Sequence, residues 1–280
     1  SPQFLFLIED SATADAEDLS SGELASKLSY FLWNTAPDEP LQQLALDGRL
    51  YEQLDQQIDR MVASSKFALF SHEFTRQWLS LDKFDVVKID QQRFPKLTRD
   101  VQKQLREEPL HFVSHLMQHN LPVRHLVESD FVVANEVVAG YYDLKHRTNS
   151  GFEFVPLQHR TTQLGGLLSQ AGLLAGLSDG REANPVKRGA WMARKIVAEP
   201  PDDPPPNVPN LDDDLSHLPL REQLERHRNQ PGCAKCHEGI DPWGVPFEEF
   251  DAAGRFHVVD AALVTSKLPD GTEVAGVAEL

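Results

Sequence analysis

Apolar residues recur at helical spacing through the first two thirds of the chain. Leu24, Leu28, Phe31 and Leu32 form one stripe, preceded by Ser20 and Glu23 at the spacing of a capping box. Pro37 and Pro40 predict the end of that helix. Leu50, Leu54, Ile58 and Met61 mark a second stripe, and Phe67, Phe70, Phe74, Trp78 and Leu81 a third that is strongly aromatic. Thr98 can cap a fourth helix carrying Val101, Leu105, Phe112 and Leu116, with Pro109 expected to kink it. A shorter helix is expected over residues 134–142.

Residues 143–160 read as irregular, with a short strand over 152–157. The small apolar residues from Leu164 to Leu177 predict a buried helix, and Pro185 suits the first turn of another running to about Val197. The run Glu199-Pro200-Pro201-Asp202-Asp203-Pro204-Pro205-Pro206 then cannot donate backbone hydrogen bonds and favours extended polyproline II. It predicts a stiff connector. Leu220, Leu224 and His227 follow on one face of a short helix that Pro231-Gly232 ends. Past Phe256 the pattern alternates weakly, and Pro269-Asp270-Gly271 signals a hairpin turn. No internal repeat has a fixed period.

Composition narrows this picture without naming a function. The 280 residues are 40% hydrophobic and 25% charged, an ordinary globular balance. No apolar run approaches the roughly 18 residues of a membrane span. The formal charge is −16, which argues against a nucleic-acid groove and against adsorption to anionic lipid. The start Ser1-Pro2-Gln3-Phe4 carries no Met and no leader, and the last residues read as half of something, so the chain is expected to be a piece of a longer protein.

Both cysteines, Cys233 and Cys236, fall in the run Cys-Ala-Lys-Cys-His with His237. At i, i+3 and i+4 these side chains share a face of a helical turn. Two thiols there can add to the vinyl groups of a porphyrin while an imidazole reaches its iron, the attachment signature of haem c. A zinc site would need two further ligands, and no other Cys exists. A thioredoxin-like pair would want a strand before the motif, where the pattern gives an amphipathic helix. Ile240, Pro242, Trp243, Val245, Phe247 and Phe250 follow closely and could cover a porphyrin face, or simply form a small core.

The surroundings of this run resemble the planctomycete cytochrome C-like domain proteins, large secreted proteins built from domains of unknown function. The likeness opens at Ser1-Pro2-Gln3-Phe4-Leu5-Phe6 and continues through Leu24-Ala25-Ser26-Lys27-Leu28-Ser29-Tyr30-Phe31-Leu32-Trp33. It resumes at Asn184-Pro185-Val186-Lys187-Arg188-Gly189 with Trp191, and at Pro204-Pro205-Pro206-Asn207-Val208-Pro209. It is densest at Arg221-Glu222, His227-Arg228, Cys233 to His237, Asp241-Pro242 with Gly244, and Phe250-Asp251 with Gly254-Arg255; Leu268-Pro269-Asp270-Gly271-Thr272 resembles the opening of a further family domain. The resemblance implies a haem-bearing protein exported from the cytoplasm, periplasmic or at the cell surface, and supplies no substrate.

The expected fold is mainly α: a helical domain, then a small cytochrome c-like haem-binding helical domain, with a short C-terminal β hairpin. The expected organisation is the end of a preceding domain over 1–15, a helical domain over 16–150, a haem domain over 151–262 with the proline-rich connector at 200–209, and the start of a truncated following domain over 263–280. Haem c is the expected cofactor, held by Cys233 and Cys236 with His237 as proximal ligand. No Met follows Cys233, so His227 leads as a distal ligand, ahead of Met192 and His257. Lys187, Arg188 and Arg228 are candidates to pair with propionates, and Trp243 to line the cofactor. His111, His115 and His119 line up at i, i+4 and i+8 but lack the Glu of the zinc-protease motif, and Asp212-Asp213-Asp214 lacks a calcium-loop pattern; both read as solvated surface. Two functions follow: single-electron transfer to a redox partner protein, within a chain of several domains, or a haem-dependent oxidoreductase acting on an extracellular substrate.

Overall fold

The computed structural model describes residues 19–144, 149–201, 222, 226, 234–257, 259–260 and 264–280. Expectations that fall on residues 1–15, on the connector beyond Pro201, on Asp212 to Asp214, on the helix of Leu220, Leu224 and His227, on Arg228 and on Cys233 lie outside the described residues.

Helix α1, Ser21–Trp33, begins where Ser20 predicts. The Ser20 hydroxyl accepts from the Glu23 N–H, and the Glu23 carboxylate accepts the Ser20 N–H at 2.8 Å, which completes the capping box. Asn34 closes the helix in the left-handed conformation. Pro40, expected only as a breaker, instead lies in the first turn of helix α2, Glu39–Leu46, with Asp38 as its cap. The first turn uses no N–H from that position, so proline fits there. Helices α3, Leu54–Ala63, and α4, Ala68–Leu79, follow the second and third stripes. Helix α5, Arg99–Gln118, continues through Pro109.

The chain divides into two compact units, residues 1–75 with 113–121, and residues 76–112 with 122–280. The core of the first gathers Ala25, Leu32, Trp33, Leu41, Leu50, Met61 and Phe67. Its indole is fixed: Trp33 Nε1–H donates to the Met61 carbonyl at 2.9 Å.

The second unit contains the element that sequence pattern misses. Strand β1, Phe131–Ala134, is buried at all four positions, so no alternation betrays it. Asn135 then caps helix α6, Glu136–Tyr141. Strand β2, Val155–Gln158, pairs antiparallel with β1, Phe131 opposite Gln158 and Ala134 opposite Val155. The helix expected over 164–177 shrinks to a turn and helix α7, Ala171–Gly176. Gly165 and Gly166 both take positive φ, and a Cβ on Gly165 would lie 2.1 Å from the Ser129 carbonyl oxygen, so this segment turns tightly over a neighbouring backbone before it can become helical.

Helix α8, Pro185–Met192, is capped by Asn184 and continues as a π turn to Val197, the end the sequence predicts. Helices α9, Ala234–Glu238, and α10, Asp241–Gly244, follow the connector. Strands β3, Thr265–Lys267, and β4, Glu273–Ala275, form the expected hairpin around Pro269-Asp270-Gly271. The chain is thus mainly helical with a small antiparallel hairpin near its C-terminus. No helix among the described residues is long and apolar enough to cross a membrane.

Candidate functional site

The described part of the motif, residues 234–237, lies on α9. His237 is 8% exposed, and Cys236 beside it is a half-buried free thiol. Residues 237 and 241 lie one helical turn apart, and the His237 Nδ1 meets Asp241 Oδ1 at 2.9 Å. Backbone bonds close the intervening turn: Gly239 N–H donates to the Cys236 carbonyl at 3.2 Å, and Ile240 N–H to the His237 carbonyl at 3.1 Å.

What holds this turn is a close helix crossing. Helix α10 packs on α8 with glycine on both sides. A Cβ on Gly189 would stand 2.2 Å from the Ile240 carbonyl oxygen, and one on Gly244 would stand 2.0 Å from the Pro185 carbonyl oxygen. Neither contact tolerates a side chain, so Asn184-Pro185-Val186-Lys187-Arg188-Gly189 and Asp241-Pro242 with Gly244 act as two halves of one joint.

Arg188 bridges several stretches of main chain. It is fully buried, and its guanidinium donates to four main-chain carbonyls: Phe247 at 2.7 Å, Phe250 at 2.6 Å, Asp251 at 2.7 Å and Leu174 at 3.2 Å. Nη1 and Nη2 are thus given to backbone, while the buried Nε has no hydrogen-bond partner. Burial pulls its pKa down to about 10, which leaves it charged at neutral pH. Lys187 gives its ammonium to the Ser178 carbonyl at 3.1 Å.

Of the apolar residues after the motif, Phe247 and Phe250 are buried in the protein, while Ile240, Pro242, Trp243 and Val245 are half-exposed and remain available to a flat ligand. Met192 is buried. His257 is exposed, its N–H donating to the Glu249 carbonyl at 2.9 Å, and the Glu249 carboxylate accepts the Val277 N–H at 2.9 Å.

A second polar region of the same unit is a cleft of about 1140 Å³ lined by Tyr141, Tyr142, His159, Arg160, Arg255 and Phe256 among others. Arg255 reaches Asp143 at 2.6 Å, and the Tyr141 hydroxyl donates to the Ala253 carbonyl at 2.7 Å. Behind the cleft, the Tyr142 hydroxyl donates to the wholly buried Glu108 at 2.6 Å and accepts the Ala171 N–H at 2.9 Å. Burial pushes the Glu108 pKa up to about 8, against the opposing pull of the Tyr142 hydroxyl.

The histidine stripe on α5 has ordinary partners. His111 stacks on Phe154 with ring centres 4.2 Å apart, and the His119 Nδ1 lies 2.9 Å from the His115 carbonyl oxygen. Among the described residues no three His, Cys, Asp or Glu side chains gather as a metal site.

Residues 19–144 match the family model PSD4, a protein of unknown function (DUF1592), and residues 164–260 match PSCyt3, a protein of unknown function (DUF1588). Both are names of planctomycete cytochrome C-like domain families of unknown function. The resemblance read from Leu24 to Trp33 falls within PSD4, and that read from Asn184 to Arg255 falls within PSCyt3. No curated protein and no solved structure matches the chain. PSCyt3 is thus a cytochrome-like domain by name, and its match contains the whole Cys-Ala-Lys-Cys-His run.

Sequence reasoning placed the motif and missed the partner of its histidine. Asp241 entered only as part of a resembling segment. The signal was present as the i, i+4 spacing of His237 and Asp241. Glu108 and Tyr142 had no such signal, being far apart in the chain.

Proposed function

We propose that this chain carries one haem c on Cys233 and Cys236, with His237 as its proximal ligand, and serves single-electron transfer in an exported protein of several domains. The observation that supports this most is the His237–Asp241 bond at 2.9 Å beside the free thiol of Cys236. A metal-ligating histidine gives its other ring nitrogen to a carboxylate or carbonyl, which fixes the ring and its tautomer. With Nδ1 engaged by Asp241, Nε2 is the nitrogen that would bind iron. The donor set fits the group: two thiols and an imidazole at i, i+3 and i+4, with half-exposed Ile240, Pro242, Trp243 and Val245 after them.

In attachment, each thiol would add across a vinyl double bond, sulfur to one carbon and hydrogen to the other, with no oxidant or reductant consumed. Bound haem supplies a one-electron iron couple. The chain's residues hold its edge, orient His237 and exclude water from one side. His227 is the proposed distal ligand, and Trp243 a lining residue. Attachment to apocytochromes c occurs outside the bacterial cytoplasm, so the parent protein is placed in the periplasm or at the cell surface, with a redox partner protein.

The test is extraction. Matured in a c-haem system, the protein keeps its haem through acid-acetone, and Cys233→Ala with Cys236→Ala releases it. Haem that extracts freely from the parent protein overturns the thioether reading. The cleft lined by Tyr141, His159, Arg160 and Arg255 favours one second reading, a haem-dependent oxidoreductase with an extracellular substrate. Ready binding of carbon monoxide to the reduced protein supports that second reading; a low-spin spectrum unchanged by the gas supports electron transfer.

A further inference from the structure

We propose that Asp241 is a positioning residue whose carboxylate, through Nδ1 of His237, biases bound haem toward its oxidised state. The inference rests on the haem reading above and adds a role for a residue outside the attachment motif.

The geometry carries it. Asp241 Oδ1 lies 2.9 Å from His237 Nδ1, with the two side chains 18% and 9% exposed. That is a short contact to a charge-bearing acceptor in a site mostly removed from water, where such bonds strengthen. A backbone carbonyl in the same place would orient the ring equally well. A carboxylate adds a negative charge next to the imidazole, which makes the ligand more basic and favours the more positive iron.

The arrangement is also rigid. The backbone bonds from Gly239 and Ile240 fix the turn between the two residues, Pro242 follows Asp241 directly, and the Gly189–Gly244 crossing pins α10 against α8. The Asp241 backbone therefore cannot shift relative to His237 without moving a helix. The competing role is structural: an acidic residue in the first turn of α10, favourable to a helix start and of no consequence for the metal. A four-residue helix gains little from that, and the Asp241 carboxylate is bonded to His237.

The experiment is redox titration of the haem-loaded protein and of its Asp241→Asn variant, with haem content measured on each by the pyridine haemochrome method. The reduction potential of the variant shifts upward, on the order of tenfold in the reduction equilibrium, or about 59 mV for one electron. Asp241→Glu, which restores the charge, moves it back toward the parent value. If Asp241→Asn does not fold, Asp241→Ser keeps a helix-start residue without the charge and shows the same upward shift. A loaded variant with unchanged potential and an unchanged ligand spectrum overturns the proposal and leaves the haem reading standing. A parent protein that takes up no covalent haem overturns both, and haem content alone separates the two results.

Discussion

Two buried polar side chains of the second unit, Arg188 on α8 and His237 on α9, lie near the α8–α10 joint and lead different lives. Arg188 is wholly enclosed, and four backbone carbonyls take its guanidinium. Its charge is used up in tying residues 247–251 to α7 and α8. His237, 8% exposed, meets the Asp241 carboxylate beside the free thiol of Cys236. Arg188 ties main chain to main chain; His237 is tied to a side chain one helical turn on. The sequence makes His237 a candidate iron ligand and Arg188 a candidate propionate partner, and their hydrogen-bond partners differ in kind.

The largest effect expected from breaking this contrast is at Arg188. Arg188→Met leaves four buried carbonyls without donors and lowers stability by on the order of 5 kcal/mol. Denaturant titration would show the midpoint falling steeply. A loss under about 1 kcal/mol would mean the carbonyls find other partners, and the structural role would not hold.

Next in size is Glu108, the other buried charge-bearing group. Its folded pKa of about 8 lies above its ordinary 4.5, so the folded state holds a proton that the unfolded state releases. Stability from this group is fully present below pH 4.5 and is lost as pH rises to about 8, by on the order of 4 kcal/mol in all. Glu108→Gln removes that decline. Parallel stability curves of the parent and the variant over this range would refute the buried, protonated carboxyl.

Gly244→Ala comes third. Its Cβ would stand 2.0 Å from the Pro185 carbonyl oxygen, so α10 must move off α8 at a cost of about 1–3 kcal/mol. The same shift disturbs His237 and Asp241, so the haem-loaded variant should show an altered ligand spectrum together with its lower melting temperature. An unchanged spectrum would uncouple the joint from the site. The smallest effect is at His257, which is exposed: His257→Ala should change stability by less than about 0.5 kcal/mol and leave the iron's ligand spectrum as it was.

Legibility followed the range over which each feature is encoded. The capping box of α1, the first-turn Pro185 of α8 and the hairpin turn at Pro269-Asp270-Gly271 are local, and the sequence shows them. Strand β1 has no such trace, because burial on both faces removes the alternation that marks a strand. Helix α7 was overestimated because small apolar residues look helical while Gly165 and Gly166 answer to a distant carbonyl. The motif gave Cys236 and His237 directly. The partners of Arg188, at residues 174 and 247–251, are backbone groups far along the chain, and no side-chain pattern announces them.

The most direct test of the central claim is the intact mass of the denatured protein after expression with a c-haem maturation system. One haem bound through both cysteines adds the mass of one whole haem to the chain, and Cys233→Ala with Cys236→Ala returns the mass to that of the bare polypeptide. A parent protein that shows only the polypeptide mass, after a maturation system proven on another cytochrome, would contradict the account.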